Sequence, residues 1–241
     1  MGLPVEVTIS ARLGAVAGLC LRGARVADVA GDHARLSEYL LRAGIARAVI
    51  CTDLNDAPVR KARARLAGVK HAQVRQGDGL APVRPGEVDV VCIAGISGRL
   101  IARILAEGVD VLAGVARLVL QPLCHERELR EWLMAHGWRL TGEALAEERG
   151  RQYDTLVASR GDGRAPYAAG DLDMLLEMGP FLSARPTDAF RRKWLAKLEH
   201  LRQVAQGHRR GDDEPGARAA EARVTMVETA LSGRQARQGQ R

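Results

Sequence analysis

The stretch Glu87–Gly95, EVDVVCIAG, narrows the possible folds more than any other. After Asp89 every residue up to Ala94 is apolar. A strand with one wet face alternates apolar and polar residues, so an unbroken run needs cover on both faces. That is the position of a central strand in a parallel sheet with helices on either side. The run, about 87–94, ends in Gly95-Ile96-Ser97-Gly98. Leu100, Ile101, Ile104 and Leu105 then follow at helical spacing.

The same unit repeats along the chain. Ile9, Leu13, Val16, Ala17 and Leu21 predict a lead-in helix within 8–21, with Ser10 able to begin it. A strand over about 25–29 breaks at Ala30-Gly31-Asp32-His33 into a helix over about 33–43, ended by Gly44. A strand over 47–52 ends in Asp53 and is followed by a helix over 56–66. A strand over 72–76 ends in Gly77-Asp78-Gly79. A strand over 116–121 is stopped by Pro122, and a helix over 125–136 follows. Two last strands, 138–147 and 152–158, form a hairpin around Glu148-Arg149-Gly150-Arg151. Alternation of strands and helices predicts an α/β, doubly wound, seven-stranded and mostly parallel sheet with right-handed crossovers and an antiparallel edge.

A linker, Gly161-Asp162-Gly163-Arg164-Ala165-Pro166, separates this first domain (1–160) from the rest. Phe190, Trp194, Leu198, Leu201 and Val204/Ala205 then form an apolar seam, and Ala220, Val224, Val227 and Leu231 form a second. Joined by a polar turn over 207–216, they predict a coiled-coil-like helical hairpin within 167–232. Residues 233–241 read as a disordered basic tail.

Composition removes several function classes. The four cysteines include no CxxC pair, so neither a zinc knuckle nor a redox pair is expected, and no metal. Cys51 and Cys92 read as buried thiols, and Cys124 lies near a helix start. No signal peptide and no apolar run of membrane-spanning length is present, which points to a cytoplasmic protein. Aromatics make up only 3% of the chain, too few for a base-stacking sheet. The net charge of +7 favours an anionic partner such as nucleic acid. Nothing in the sequence sets the oligomeric state, for which a monomer is the simplest expectation.

The strand ends carry a matched set. The first gives Asp28 and the Ala30-Gly31-Asp32 turn. The second ends in Asp53, where a carboxylate accepts from both ribose hydroxyls. The third ends in Asp78 between glycines, suited to an exocyclic adenine amine. The fourth ends in Ala94-Gly95, where a cofactor's reactive end meets a substrate. Any one acidic strand end is an ordinary helix cap; together they describe a site for an adenosine-bearing cofactor. GxGxxG is absent, and Asp28 and Asp32 would repel a pyrophosphate. They suit the cationic amino-acid end of S-adenosylmethionine (SAM), which favours SAM over NAD.

Several stretches carry a resemblance: the lead-in helix, VADVAGDHARL, GDGL, VVCIAGISGRLI, LVLQP, LREWLMAHGW, Gly179–Leu182 (GPFL) and Lys193-Trp194. Over about residues 8–232 the chain resembles the bacterial tRNA (adenine-22-N1)-methyltransferase family, whose motifs read close to DIGSDHAYLP, AGMGG and QPN. Asp32-His33, Gly77-Asp78-Gly79, Ala94-Gly95 and Gln121-Pro122 match. Arg35, Ser37, Ile96-Ser97 and Leu123 depart from the pattern and are expected at the mouth of the site, where substrate binds.

The resemblance implies a Rossmann-like methyltransferase fold and methylation of adenine N1 in the tRNA D-loop at position 22. The expected cofactor residues are Asp28, Ala30, Gly31, Asp32, His33, Asp53, Leu54, Gly77, Asp78, Gly79, Ala94 and Gly95. Asp28 and His33 would frame the methionine end and the transfer face, and Gln121 would bond the base edge. The expected substrate residues are Arg35, Ile96, Ser97, Arg99, Gln121, Pro122, Arg191 and Arg192, with arginines 202, 209 and 210 also on the hairpin. The ring nitrogen has its own lone pair, so positioning replaces a strong base, and the base must leave its stack. Two alternatives stay open: a different methyl acceptor, or a non-catalytic RNA- or partner-binding protein on the same scaffold.

Overall fold

In a computed structural model the chain is described from residue 8 to residue 238, side chains excepted at Asp32 and at residues 233–238. It divides into two compact units after Ala168. The first holds seven strands: β1 Ala24–Val29, β2 Ala46–Asp53, β3 Ala72–Gln76, β4 Val90–Ile96, β5 Arg117–Pro122, β6 Trp138–Glu148 and β7 Arg151–Arg160. Its helices are α1 Ala11–Gly18, α2 Arg35–Arg42, α3 Asp56–Arg65, α4 Gly98–Glu107, α5 Val109–Leu112 and α6 Glu126–Ala135. The strands form one Rossmann-like sheet in the order β3-β2-β1-β4-β5-β7-β6. The first five are parallel, and β7 runs antiparallel to both β5 and β6.

The expected central strand is β4. Val90, Val91, Cys92 and Ile93 are all fully buried. On one face Val90 and Cys92 pack with Val26 and Val119 beneath Leu13, Val16 and Ala17 of α1 and Leu36 and Leu40 of α2. α3 seats Ala62 and the adjoining Leu66 against Cys51. Ser10 caps α1 by accepting from Leu13 N–H, as the sequence suggested.

The register sets the strand ends level. Val29 pairs with Thr52 of β2 and with Ile93 of β4, and Ala94 pairs with Gln121 of β5. The next residues out, Ala30, Asp53 and Ala94, therefore share one height along the sheet. Strand order reverses between β1 and β4, and such a switch point opens a crevice outside the carboxyl ends. Beyond it, β4 and β5 shift register between Ala94 and Ile96, with Gly95 at φ 85.

The second unit is helical: α7 Leu172–Met178, α8 Pro180–Ala184, α9 Asp188–Arg210 and α10 Glu214–Gln238. The expected seam is present. Phe190, Trp194, Leu198, Leu201 and Ala205 of α9 are buried, as are Ala217, Ala220, Val227 and Ala230 of α10. Glu177 of α7 lies almost fully inside and accepts from Lys197 (2.9 Å) and Arg223 (2.7 Å), tying three helices together. Burial opposes its charge, but the two cations hold its carboxyl below the usual range.

Two expectations need correction here, and two helices were missed. The turn expected over 207–216 shrinks to Gly211–Asp213, because α9 runs to Arg210 and α10 starts at Glu214. α7 and α8 were not read from the sequence; Gly179, at φ 85, breaks the chain between them. α10 continues through Gln238, into the expected tail, whose residues 239–241 lie outside the described part of the chain.

Candidate functional site

The crevice at the switch point is a cavity of about 400 Å³, within the range of small-molecule sites. Nine of the expected residues line it: Ala30, His33, Asp53, Leu54, Asp78, Gly79, Ala94, Gly95 and Ile96. Each arrives there for a local reason. Asp53 is the last residue of β2, and one of its oxygens accepts from Asn55 N–H at 3.0 Å. Leu54, 56% exposed, turns an apolar side chain into the opening. Gly79 is at φ 52, and a Cβ there would run into Ile104. Its carbonyl accepts from Thr52 Oγ1 at 2.9 Å, which holds the Asp78 loop against the end of β2.

The β1–α2 turn is held in a tight shape. Ala30 (φ 53), His33 (φ 54) and Ala34 (φ 58) all lie in the left-handed region, which costs non-glycine residues free energy and gathers at functional sites. Asp28 organises this turn and is absent from the cavity lining, contrary to expectation. It is 2% exposed. Its Oδ2 accepts from Ser37 N–H (3.1 Å) and Ser37 Oγ–H (2.6 Å), capping α2 from the strand. Gly31 lies over it, where a Cβ would meet the carboxylate at 2.8 Å. Ser37 is accordingly a buried partner of Asp28 and not a mouth residue. Removing its hydroxyl (Ser37→Ala) is expected to cost about 1–3 kcal/mol, read as a lower melting temperature. An unchanged melting curve would mean that Asp28 does not depend on this bond.

The other expected residues sit outside the cavity lining. Gly77 continues the β2–β3 ladder by donating to the Asp53 carbonyl at 3.0 Å. Asp32 opens the 3-10 turn after β1; its side chain lies outside the description. Arg35 is exposed at the start of α2. Ser97 caps α4 by accepting from Leu100 N–H. Arg99 pairs with Glu128 at 2.7 Å. Pro122 is buried at the end of β5. Leu123 is exposed, with its N–H on the Ile96 carbonyl at 2.9 Å. Cys124 is exposed and contacts His125 Nδ1 at 3.0 Å; Cys51 and Cys92 are buried as expected.

Gln121 requires a larger correction. It is fully buried, and both ends of its amide are committed. Oε1 accepts from Arg12 at 2.6 Å and Nε2 donates to the Pro122 carbonyl at 2.7 Å. Its amide is thus buried and bonded at both ends, to Arg12 and to the Pro122 carbonyl, and Gln121 lies outside the cavity lining. In the second unit Arg202 pairs with Glu228 and Arg209 with Glu221. Arg191 and Arg192 stand in the first turns of α9.

The sequence reading missed Arg12, Asn55, Pro58, Leu100 and Arg103, all on the lining. Arg103 stands 3.6 Å from Asp78. One signal for Arg12 existed: a cation in the first turn of a helix opposes the helix dipole. Among the described residues no group of acids, histidines and cysteines is placed to hold a metal, and no helix is long and apolar enough to cross a membrane.

The lining groups fit a SAM-type ligand. The carboxylates of Asp53 and Asp78 are acceptors suited to ribose hydroxyls and an adenine amine, with apolar Leu54, Leu100 and Ile104 also on the lining and Gly95 at the β4 end. Comparison with known proteins agrees. The sequence model of the TrmK family, tRNA (adenine(22)-N(1))-methyltransferase, matches residues 26–229. The tRNA (adenine(22)-N(1))-methyltransferase of Bacillus subtilis is 39% identical over 202 residues, covering 83% of this chain and 85% of that protein. The crystal structure of B. subtilis TrmK superposes with a TM-score of 0.89 at 33% identity, over 94% of this chain and all (100%) of the other. A Streptococcus pneumoniae protein named for the same activity, in complex with SAM, gives a TM-score of 0.83 at 32% identity, over 93% and 100% of the two chains.

Proposed function

Because the chain belongs to the tRNA (adenine(22)-N(1))-methyltransferase family, we propose that it transfers a methyl group from SAM to N1 of adenine 22 in the tRNA D-loop, in the cytoplasm. The observation that carries this reading is that Asp53, Asp78 and Gly95, from three different strand ends, line one cavity.

SAM, when bound, supplies an electrophilic methyl on a sulfonium. The protein's part is to hold the two reactants. Asp53 would accept from the ribose hydroxyls and Asp78 from the adenine amine of the cofactor, with Leu54 and Ile104 as apolar neighbours on the lining. His33, Ala94, Gly95 and Ile96 line the transfer end, where the acceptor base enters. Adenine N1 would attack the methyl through its own lone pair as the methyl–sulfur bond breaks, releasing S-adenosylhomocysteine as a neutral thioether and leaving the positive charge on the methylated base, so no side chain needs to remove a proton first. Rate enhancement then rests on in-line positioning of a base drawn out of its stack. Ile96 and Leu123 give that base an apolar mouth.

The net charge of +7 supports an RNA partner, with exposed Arg35 on one unit and half-buried Arg191 and exposed Arg192 on the other as candidate phosphate contacts. Phosphate contacts make affinity fall as salt rises.

The test is methyl transfer from radiolabelled SAM to tRNA from a host lacking the modification, with Asp53→Ala as control. Label recovered as 1-methyladenine at position 22, and lost in the variant, is the expected result. SAM binding without label in tRNA would assign the altered mouth to a different acceptor. Absence of both would leave a binding scaffold.

A further inference from the structure

Residues 35–70 hold eight lysines and arginines against three acids, and so carry five of the chain's seven net positive charges. The stretch folds into α2, β2, α3 and the connections around them. α3 buries Val59 and Ala62, with Leu66 just beyond it. At 3.6 residues per turn the opposite side of the helix carries Arg60 and Lys61, with Arg63 and Arg65 on its flanks. All four are exposed.

The protein itself accounts for only part of this charge. Arg65 reaches Glu38 of α2 at 2.9 Å. Arg63 and Arg65 also lie in the last turn of α3, where the helix dipole favours a cation. Neither reason covers Arg60 and Lys61, in the middle of the helix. Among the described residues Arg60, Lys61 and Arg63 form no ion pair. The one acid of α3, Asp56, accepts from Gln76 Nε2 at 2.8 Å, and Glu38 is already shared between Arg65 and Arg42 (3.0 Å). Like charges three and four residues apart, as in Arg60–Arg63 and Lys61–Arg65, destabilise a helix. A face that gathers like charge against the interest of its own helix is complementary to a polyanion.

The face also begins at the site. Asn55 and Pro58, at the start of α3, line the cavity, and Arg60 and Lys61 follow Pro58 within one turn, about 5 Å along the axis. Two strand spacings, about 10 Å, separate the end of β2 from the end of β4, where the acceptor base enters. We propose that Arg60, Lys61 and Arg63 hold the phosphate backbone of the tRNA beside that base. The proposal rests on the tRNA reading above, whose candidate phosphate contacts include none on this side of the cavity. Such contacts fix affinity and orientation and leave base identity to the mouth.

The test is binding of tRNA from a host lacking the modification to the full chain, over a series of salt concentrations. Arg60→Gln, Lys61→Gln and Arg63→Gln together are expected to weaken binding by about 10- to 100-fold near physiological salt. They are also expected to lower the slope of log Kd against log salt by about 2 to 3, close to one for each lost contact. Calorimetric affinity for SAM is expected to stay unchanged. Arg60→Lys with Arg63→Lys keeps the charges and is expected to keep the slope. A control removes the same charge from exposed residues at the amino ends of the strands, by Arg22→Gln, Arg84→Gln and Arg139→Gln, and is expected to change neither affinity nor slope appreciably. Wild-type affinity and slope in the α3 variant, or an equal loss in the control, overturns the assignment. So does weaker binding with an unchanged slope, which marks a structural effect. A wild type that binds no tRNA overturns instead the reading beneath it.

Discussion

Replacing Arg130 with alanine is expected to lower the stability of the first unit by about 3–5 kcal/mol, the usual cost of breaking a buried ion pair from one side. Arg130, on α6, is fully buried. It meets Glu143 of β6 at 2.7 Å and Asp154 of β7 at 3.3 Å, and both carboxylates are themselves shielded from water. Burial works against the guanidinium, and the two acids more than offset it, so its pKa lies above the ordinary value. Removing the cation strands two carboxylates in the interior. Replacing all three residues with apolar side chains of similar size is expected to restore most of the loss, because it removes the desolvation cost together with the pairing. Thermal or denaturant unfolding of the single and triple variants checks this. A single variant costing under about 1 kcal/mol would show that water reaches the cluster. The cluster also bears on function. It clamps α6, which follows residues 122–125, to the β6–β7 hairpin, whose Tyr153 ring and Glu148 carboxylate both contact Arg12 of α1.

Replacing Asp53 with alanine is expected to weaken SAM binding by about 100-fold while leaving the fold intact. Two hydrogen bonds from ribose hydroxyls to a carboxylate are worth roughly 3 kcal/mol together, which corresponds to that factor. Asp53 stands at a strand end with a single internal bond, to Asn55 N–H, so its loss should barely move the melting temperature. Asp53→Asn keeps an acceptor and is expected to lose less. Calorimetry with SAM separates these outcomes from unfolding. Unchanged affinity in Asp53→Ala would move the ribose to another part of the cavity.

The sheet was legible because each strand advertises its own environment. The apolar run before Ala94 requires cover on both faces, and the structure gives it that cover. The ends of β1 to β4 were legible for the same local reason: Gly79 and Gly95 sit at positive φ, and Asp53 closes its strand. The lengths of α9 and α10 were misread because Gly207 and the polar residues around it look like a turn. A long helix packed along its partner tolerates both, since the seam supplies the stability that propensity lacks.

The side chains at the transfer end could not be read in this way. Asp28 and Gln121 carry the right chemistry at the right spacing, yet each is spent on another side chain: Asp28 on Ser37, across the β1–α2 turn, and Gln121 on Arg12, 109 residues away. The sequence by itself determined the sheet, the helical second unit and the acidic β2–β3 end of the cavity, since each depends on short-range pattern and backbone conformation. Only the tertiary structure decided which polar groups face the cavity, because a buried donor or acceptor must be satisfied by whatever the folded chain brings within reach, and no local pattern records that partner.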